Sequence, residues 1–156
     1  MLEINNERVS SISRMISTVQ PKLNKSKKIV IAKAIHEISS SYKIDPKILI
    51  AIVDAESEFD NSKVSPTGDY SVAQINLKVW KNGFQKIGYP KLDVKRLKVD
   101  EAYAIMKMSQ ILKSLKDRFG KKDKRWYARY HSHTPKFKNI YYVKLEKRMN
   151  KIAARL

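Results

Sequence analysis

The 156-residue sequence contains no cysteine, only four glycines and five prolines, and 15 acidic residues against 33 basic ones. Without cysteine the chain forms no disulfide, no zinc finger and no thiol nucleophile. The shortage of glycine and proline argues against a turn-rich β-sandwich or a low-complexity chain. The length and the 42% hydrophobic content suit one domain with a single core.

Long apolar runs are also missing from the sequence. No window of about 18 apolar residues occurs, so we expect no transmembrane helix. Residues 1–20 lack an unbroken apolar stretch behind a basic start, so they do not resemble a signal peptide.

The positive charge is concentrated in the second half of the chain. Residues 1–78 hold 11 basic and nine acidic side chains, for a net charge of +2, whereas residues 79–156 hold 22 and six, for a net charge of +16. Such a field favours a polyanionic partner, which is a nucleic acid, an anionic membrane or an anionic wall polymer. The basic residues include Lys95, Arg96, Lys98, Lys121, Lys122, Lys124, Arg125 and Arg129. No zinc pattern, RNA-recognition signature or helix-turn-helix accompanies them, so no specific nucleic acid is expected.

Apolar residues recur every three or four positions through most of the chain, which predicts a mainly α fold. Residues 60–90 lose this period and contain turn-forming residues, so we expect an irregular insert with short strands or helical pieces there. The first predicted helix ends at Pro21, the second is capped by Ser26, and the third starts at Asp45-Pro46 and ends near Phe59. A long helix is capped by Asp100 and ends at Gly120, and a short one starts at Asp123. Thr134-Pro135 breaks the chain before a last helix, whose apolar positions are Tyr141, Leu145, Met149, Ile152 and Leu156.

Glu56 falls on the apolar stripe of the third predicted helix. It follows Ile52 by four positions and Val53 by three, whereas Asp54 and Glu58 are predicted to face solvent. Burial and the negative end of the helix both disfavour an ionised carboxyl group. A glutamate that keeps its proton near neutral pH is what a general acid requires. A structural ion pair with a lysine or arginine is the alternative explanation for such a position.

Further motifs follow Glu56 in a definite order. They are Ser57, Ser65-Pro66-x-Gly68-Asp69-Tyr70, Gln74-Ile75-Asn76, Trp80, Ala128-Arg129-Tyr130-His131-Ser132-x-Thr134-Pro135 and Tyr141-Tyr142. In order and spacing, the sequence resembles the soluble lytic transglycosylase domain of the lysozyme superfamily over roughly residues 30–145. The resemblance implies a single lysozyme-like domain over residues 1–156, with a helical extension at 1–22 and a core at 26–145.

The resemblance also implies roles for individual residues. Glu56 matches the single catalytic acid/base, and Tyr130 matches the tyrosine that reaches toward this carboxylate and the sugar. The substrate-binding residues that it suggests, together with aromatic residues suited to sugar stacking, are Ser65, Gln74, Asn76, Tyr130, Tyr70 and Tyr142. Ser71-Val72-Ala73 and His133 depart from the usual pattern of Gly-Leu-Met and Gly. No metal or organic cofactor is implied, and His131 and His133 are expected at the surface or in a cap.

Asp69 carries a second resemblance. The segment from Asp69 to Asn76 is similar to the strand of animal-type lysozymes that supplies a second catalytic carboxylate. Asp69 is therefore either a stabilising carboxylate or a turn aspartate that caps its own backbone.

The resemblance implies cleavage of the β-1,4 bond between N-acetylmuramic acid and N-acetylglucosamine in peptidoglycan, with 1,6-anhydro products. Hydrolysis by Glu56 and Asp69 is one alternative, and a nucleic-acid-binding or catalytically silent wall-binding module is another. We expect a monomer that acts in the periplasm or cell wall and binds glycan strands, with anionic membranes or wall polymers as further partners. Delivery would be by lysis, a virion or a secretion apparatus, and small size, basicity and the lack of a leader favour a phage or mobile-element origin.

Overall fold

The computed structural model describes residues 1–156, and helices dominate it. The α-helices are α1 (Leu2–Val19), α2 (Lys25–Tyr42), α3 (Pro46–Ser57), α4 (Leu77–Trp80), α5 (Gly83–Lys86), α6 (Val94–Val99), α7 (Glu101–Phe119) and α8 (Pro135–Ala153), and a 3-10 helix spans Trp126–Tyr130. Two short strands, β1 (Asp69–Tyr70) and β2 (Ile75–Asn76), form an antiparallel hairpin in which Asp69 lies opposite Asn76. The prediction of a mainly α fold with a small β insert is confirmed.

Helix α3 lies at the centre of the molecule and contacts α1, α2 and α8. Its residues 48–54 are all buried, as is Ser57. A helix that is apolar on every side is enclosed by its neighbours and has no solvent-facing stripe. The prediction of a solvent-facing Asp54 is therefore wrong, because only 7% of this residue is exposed.

Side chains at the helix starts explain several of the boundaries. Asp45 accepts a hydrogen bond from the Lys47 backbone N–H at 2.9 Å, and Pro46 is the first residue of α3, as predicted. Asp100 caps α7 in the same way through the Tyr103 N–H. The predicted cap of α2 at Ser26 is wrong: the Asn24 side chain accepts from the Lys27 N–H at 3.2 Å, and the helix has already begun when the chain reaches Ser26.

The end of α3 directs the chain into the hairpin. Glu58 and Phe59 both adopt positive φ angles, 53° and 65°, which non-glycine residues rarely do. The fold holds this turn by burying the Phe59 side chain and by the Ser57 hydroxyl, which donates to the Val72 carbonyl oxygen at 2.7 Å. The hairpin is thereby fixed against the last turn of α3, where Glu56 lies.

The helices share one hydrophobic core. Trp126 and Tyr127 are buried in it, as expected for helical aromatic residues, and α8 contributes Tyr141, Leu145 and Ile152. None of the helices combines the length and the hydrophobicity that a membrane span requires.

Candidate active site

A cleft with a volume of 630 Å³ opens beside the end of α3. Its walls come from the hairpin, α4, the C-terminal half of α7 and the segment that follows the 3-10 helix. The predicted site residues that line it are Glu56, Asp69, Gln74, Asn76 and Tyr130. The fold therefore brings together residues that lie up to 74 positions apart in the sequence.

Glu56 presents its carboxyl group to this cleft with 14% of the side chain exposed. The Tyr141 hydroxyl donates a hydrogen bond of 2.8 Å to Glu56 Oε1. The His131 Nδ1 atom lies 3.7 Å from the same oxygen, which is beyond hydrogen-bond length but close enough for a strong charge interaction. No protein group donates to Oε2, so that oxygen is free for a ligand.

Tyr141, rather than Tyr130, is the tyrosine that holds the glutamate. The Tyr130 hydroxyl instead donates to the Ala73 carbonyl oxygen at 2.7 Å, which ties the 3-10 helix to the hairpin. Burial and the negative charge of Glu56 raise the pKa of both tyrosines well above the ordinary value, so both remain donors. Tyr141 belongs to the buried stripe of α8. Because a buried tyrosine hydroxyl needs a polar partner, this position is the sequence signal that could have pointed to a contact with a polar group such as Glu56.

His131 also lies in the cleft, whereas a surface or capping position is predicted for it. Its ring stacks on Tyr141 with the centroids 4.6 Å apart and the planes 20° from parallel. The interaction with Glu56 raises the pKa of His131 and outweighs the burial that lowers it. When His131 is protonated, a positive charge therefore lies beside Glu56.

Asp69 has an environment rich in hydrogen-bond donors. Its carboxylate accepts from the Ser65 hydroxyl, from Thr67 Oγ1 at 2.8 Å and from Asn76 Nδ2 at 3.0 Å. Burial raises the pKa of Asp69, but the three donors together outweigh burial, so the net shift is downward. Asp69 is consequently ionised at neutral pH. It lines the cleft and also lies at a turn.

The other hairpin residues use most of their polar atoms within the protein. Gln74 donates through Nε2 to the carbonyl oxygens of Lys63 and Ser71, at 2.9 and 2.8 Å. Asn76 donates to the Thr67 carbonyl oxygen and accepts from the Val79 N–H, both at 3.1 Å. These side chains shape the cleft wall by holding the hairpin.

The remaining predicted binding residues lie outside the cleft lining. Tyr142 follows Tyr141 on α8 and points about 100° away from it, and its hydroxyl donates to Glu146 Oε1 at 2.8 Å. Tyr70 follows Asp69 on β1 and faces the other side of the strand, where Lys98 Nζ lies 4.9 Å from its ring centroid. Ser65 reaches the site only through its hydrogen bond to Asp69.

The cleft has a basic wall that the sequence patterns do not predict. Arg118 and Arg129 both line it, together with Trp80 and His133. Arg129 is paired with Asp123 at 3.0 Å, whereas Arg118 has no carboxylate partner. No group of three or more His, Asp or Glu side chains that could hold a metal ion occurs in the protein.

Comparison with known families agrees with this geometry. The family model described as the transglycosylase SLT domain matches residues 33–139, from the first half of α2 to the start of α8. A comparison with curated proteins found no match. The matched segment is more than half of the chain and includes the end of α3, the hairpin and the 3-10 helix. The chain therefore belongs to the transglycosylase SLT domain family, whose members are lytic transglycosylases that degrade peptidoglycan.

Proposed function

We propose that this protein cleaves the β-1,4 bond between N-acetylmuramic acid and N-acetylglucosamine as a lytic transglycosylase. The observation that carries this proposal is the position of Glu56 in the cleft, with Oε1 held by Tyr141 and Oε2 free. Membership of the family supports peptidoglycan as the substrate. The place of action is then the periplasm or the cell wall, where peptidoglycan lies.

The reaction requires one carboxyl group that acts twice. Protonated Glu56 donates its proton to the glycosidic oxygen as the bond from this oxygen to C1 of the muramic residue breaks. The N-acetyl carbonyl oxygen of that residue supports the positive charge that develops at C1. The Glu56 carboxylate then takes the proton of the C6 hydroxyl while O6 bonds to C1. The product is a 1,6-anhydro ring, Glu56 regains its proton, and no water is consumed.

Tyr141 and His131 act on Glu56 as positioning residues. Because the Tyr141 hydroxyl stays protonated, it can hold Oε1 in both protonation states of the glutamate. The proton transferred in the reaction is then the one carried by Oε2. A protonated His131 would stabilise the carboxylate that forms after the proton is donated.

Asp69 favours a second candidate function, which is hydrolysis. An ionised carboxylate in the same cleft as the general acid is the arrangement of a two-carboxylate glycosidase. In that scheme Asp69 stabilises the cationic sugar or orients the attacking water, and a reducing end forms instead of the anhydro ring.

Mass spectrometry of the soluble products from purified sacculi tests the proposal. We expect 1,6-anhydro muropeptides from the native protein and none from Glu56→Gln. Glu58→Gln is the matched control, because it makes the same change two residues away at an exposed site and should keep full activity. Products with only reducing ends would assign the protein to the hydrolases, and binding to sacculi without release would identify a silent wall-binding protein.

Asp69→Asn separates the two candidates. Transglycosylation needs only Glu56, so we expect this variant to keep anhydro products and to lose less than about tenfold in rate. Thermal melting monitors any loosening of the hairpin, since an asparagine cannot accept all three hydrogen bonds. A loss as large as that of Glu56→Gln, in a protein that still melts normally, would support the two-carboxylate scheme.

The basic second half of the chain supports a further part of the proposal. Its net charge of +16 would concentrate the protein on anionic wall polymers before the glycan enters the cleft. Release rates from sacculi should then fall as salt is added, whereas a rate independent of salt would contradict this part.

A further inference from the structure

The solvent-facing side of α8 exposes three apolar side chains. Phe137, Ile140 and Val143 are 53%, 49% and 62% exposed, and their spacing of three residues places them on one side of the helix. Lysines lie on the same side. We call this surface the α8 outer stripe, and it consists of Lys136, Phe137, Ile140, Val143, Lys144, Lys147 and Lys151.

The charges of α8 are sorted between its two sides. The inward cations are paired, Lys138 with Asp123 at 3.1 Å and Arg148 with Asp54 at 2.7 Å. The lysines of the α8 outer stripe are exposed and form no ion pair. Glu146, the one acidic residue of the helix, lies off the stripe and accepts from the Tyr142 hydroxyl.

The inner side of α8 fixes the stripe in place. Tyr141, Leu145 and Ile152 are buried in the core along the length of the helix. Because the helix is already ordered, a partner that binds the outer stripe does not have to order it, and little conformational entropy opposes binding.

We propose that the α8 outer stripe docks on the surface of a bilayer that contains anionic phospholipids. Exposed lysines on either side of apolar side chains suit a helix that lies in the plane of the interface, with the lysines among the headgroups. A polyanionic polymer needs only the cations and would leave the three apolar side chains in water. The apolar residues therefore favour a lipid surface over a nucleic acid or a wall polymer.

The stripe lies next to the cleft, although no residue of the stripe lines it. It begins at Lys136, in the helix that directly follows the cleft segment 131–133. Lys144 is close enough to the cleft for its charge to lower the pKa of His131. A docked α8 would hold the cleft close to the membrane surface. The inference does not rest on the proposed reaction, because docking uses neither Glu56 nor Asp69.

Vesicle flotation with the full chain tests docking. We expect the native protein and Glu56→Gln to float with vesicles of phosphatidylglycerol and phosphatidylethanolamine, and neither to float with pure phosphatidylcholine. Binding of Glu56→Gln keeps this test independent of activity on peptidoglycan. Failure of the native protein to bind the anionic vesicles would overturn the proposal.

Two variants separate the contributions of the stripe. Each lysine near an anionic surface is worth roughly fivefold in affinity, so Lys136→Gln/Lys147→Gln/Lys151→Gln should weaken binding about a hundredfold. The matched control Lys25→Gln/Lys33→Gln/Lys91→Gln removes the same charge from exposed sites outside α8 and should stay within about threefold. Lys144 is retained because its charge acts on His131. Equal losses in both variants would show a nonspecific charge effect and would overturn the proposal.

Phe137→Gln/Ile140→Gln/Val143→Gln keeps every charge and should weaken vesicle binding at least about tenfold. Unchanged binding would mean that the stripe recognises only polyanions, against the proposal.

Because the chain has no cysteine, a polarity-sensitive dye on Ile140→Cys reports the stripe alone. Its emission should shift to the blue on anionic vesicles, whereas the same dye on Val99→Cys, an exposed valine of α6, should not shift. A shift at Val99 and none at Ile140 would place the membrane contact elsewhere.

Discussion

Asp54 and Glu56 are two carboxylates on one helix with opposite surroundings. Two residues apart on α3, they point roughly 200° from each other. Asp54 faces α1 and α8, where it accepts from Arg148 Nε at 2.7 Å and from Gln20 Nε2 at 2.8 Å. Glu56 faces the cleft, where Tyr141 donates to it and His131 lies nearby.

Burial alone does not identify a general acid on this helix. Asp54 is the more buried of the two, yet each of its oxygens already accepts a hydrogen bond, Oδ2 from Arg148 and Oδ1 from Gln20, and it does not line the cleft. Glu56 has a neutral hydroxyl as its direct partner and one oxygen open to the cleft. Access to the cleft and an oxygen without a protein donor are therefore what favour Glu56 over Asp54 as the proposed general acid.

Substitution of the carboxylate in the cleft should reduce activity more than any other change. Glu56→Gln removes the proposed proton donor but keeps the shape and the hydrogen bond from Tyr141, so release of muropeptides should fall by about a thousandfold or more. The free energy of unfolding in urea should change by less than about 1 kcal/mol. Retention of more than a tenth of the activity would contradict the assignment of Glu56.

Asp54→Asn removes the buried carboxylate of α3 instead. It leaves Arg148 without its carboxylate, so we expect a loss of about 2 kcal/mol in the free energy of unfolding, less than for a fully enclosed pair because Arg148 is partly exposed. Activity per folded molecule should stay within about tenfold of native. The double variant with Arg148→Gln should be less destabilised than the sum of the single variants, and strict additivity would rule out the pairing.

Tyr141→Phe removes only the hydroxyl partner of Glu56. We expect the turnover rate to fall by about tenfold with little change in substrate affinity, because the carboxyl group loses its orientation. Tyr130→Phe is the matched control, since it removes a hydroxyl that donates to the backbone of Ala73. A larger loss of turnover in Tyr130→Phe would mean that Tyr130 acts on the reacting groups.

Substitution of the two histidines of the cleft should change the melting temperature modestly and in a pH-dependent way. The pKa of His131 is raised above 6.5 by Glu56, so its contribution to stability is fully present below about pH 6.5 and is lost as the pH rises through the folded value. The pKa of His133 is lowered by burial and by the nearby charges of Arg129 and Arg118, so its contribution is present above about pH 6.5 and is lost as the pH falls.

Melting temperatures between about pH 5 and pH 8 test these signs. His131→Gln should lower the melting temperature more at acidic than at alkaline pH. His133→Gln should raise it at acidic pH relative to alkaline pH. The same direction of change in both variants would contradict the assigned surroundings of the histidines.

Local signals predicted most of the helices because they depend on a few neighbouring residues. Asp45-Pro46 and Asp100 begin α3 and α7 through side-chain hydrogen bonds to backbone N–H groups two or three residues ahead. The same local signal gave a wrong cap at Ser26, because the Asn24 side chain, two residues earlier, caps the helix instead.

Periodicity and turn chemistry within short segments were enough to predict the helical fold and the irregular insert. The three contacts that follow only from the packing of the helices are the pairing of Arg148 with Asp54, the hydrogen bond from Tyr141 to Glu56 and the position of His131 in the cleft. These partners lie 75 to 94 residues away along the chain, and their distances depend on how α8 and the 3-10 helix pack against α3. Periodicity places a residue on a face of its own helix, but it does not say which side chain meets that face.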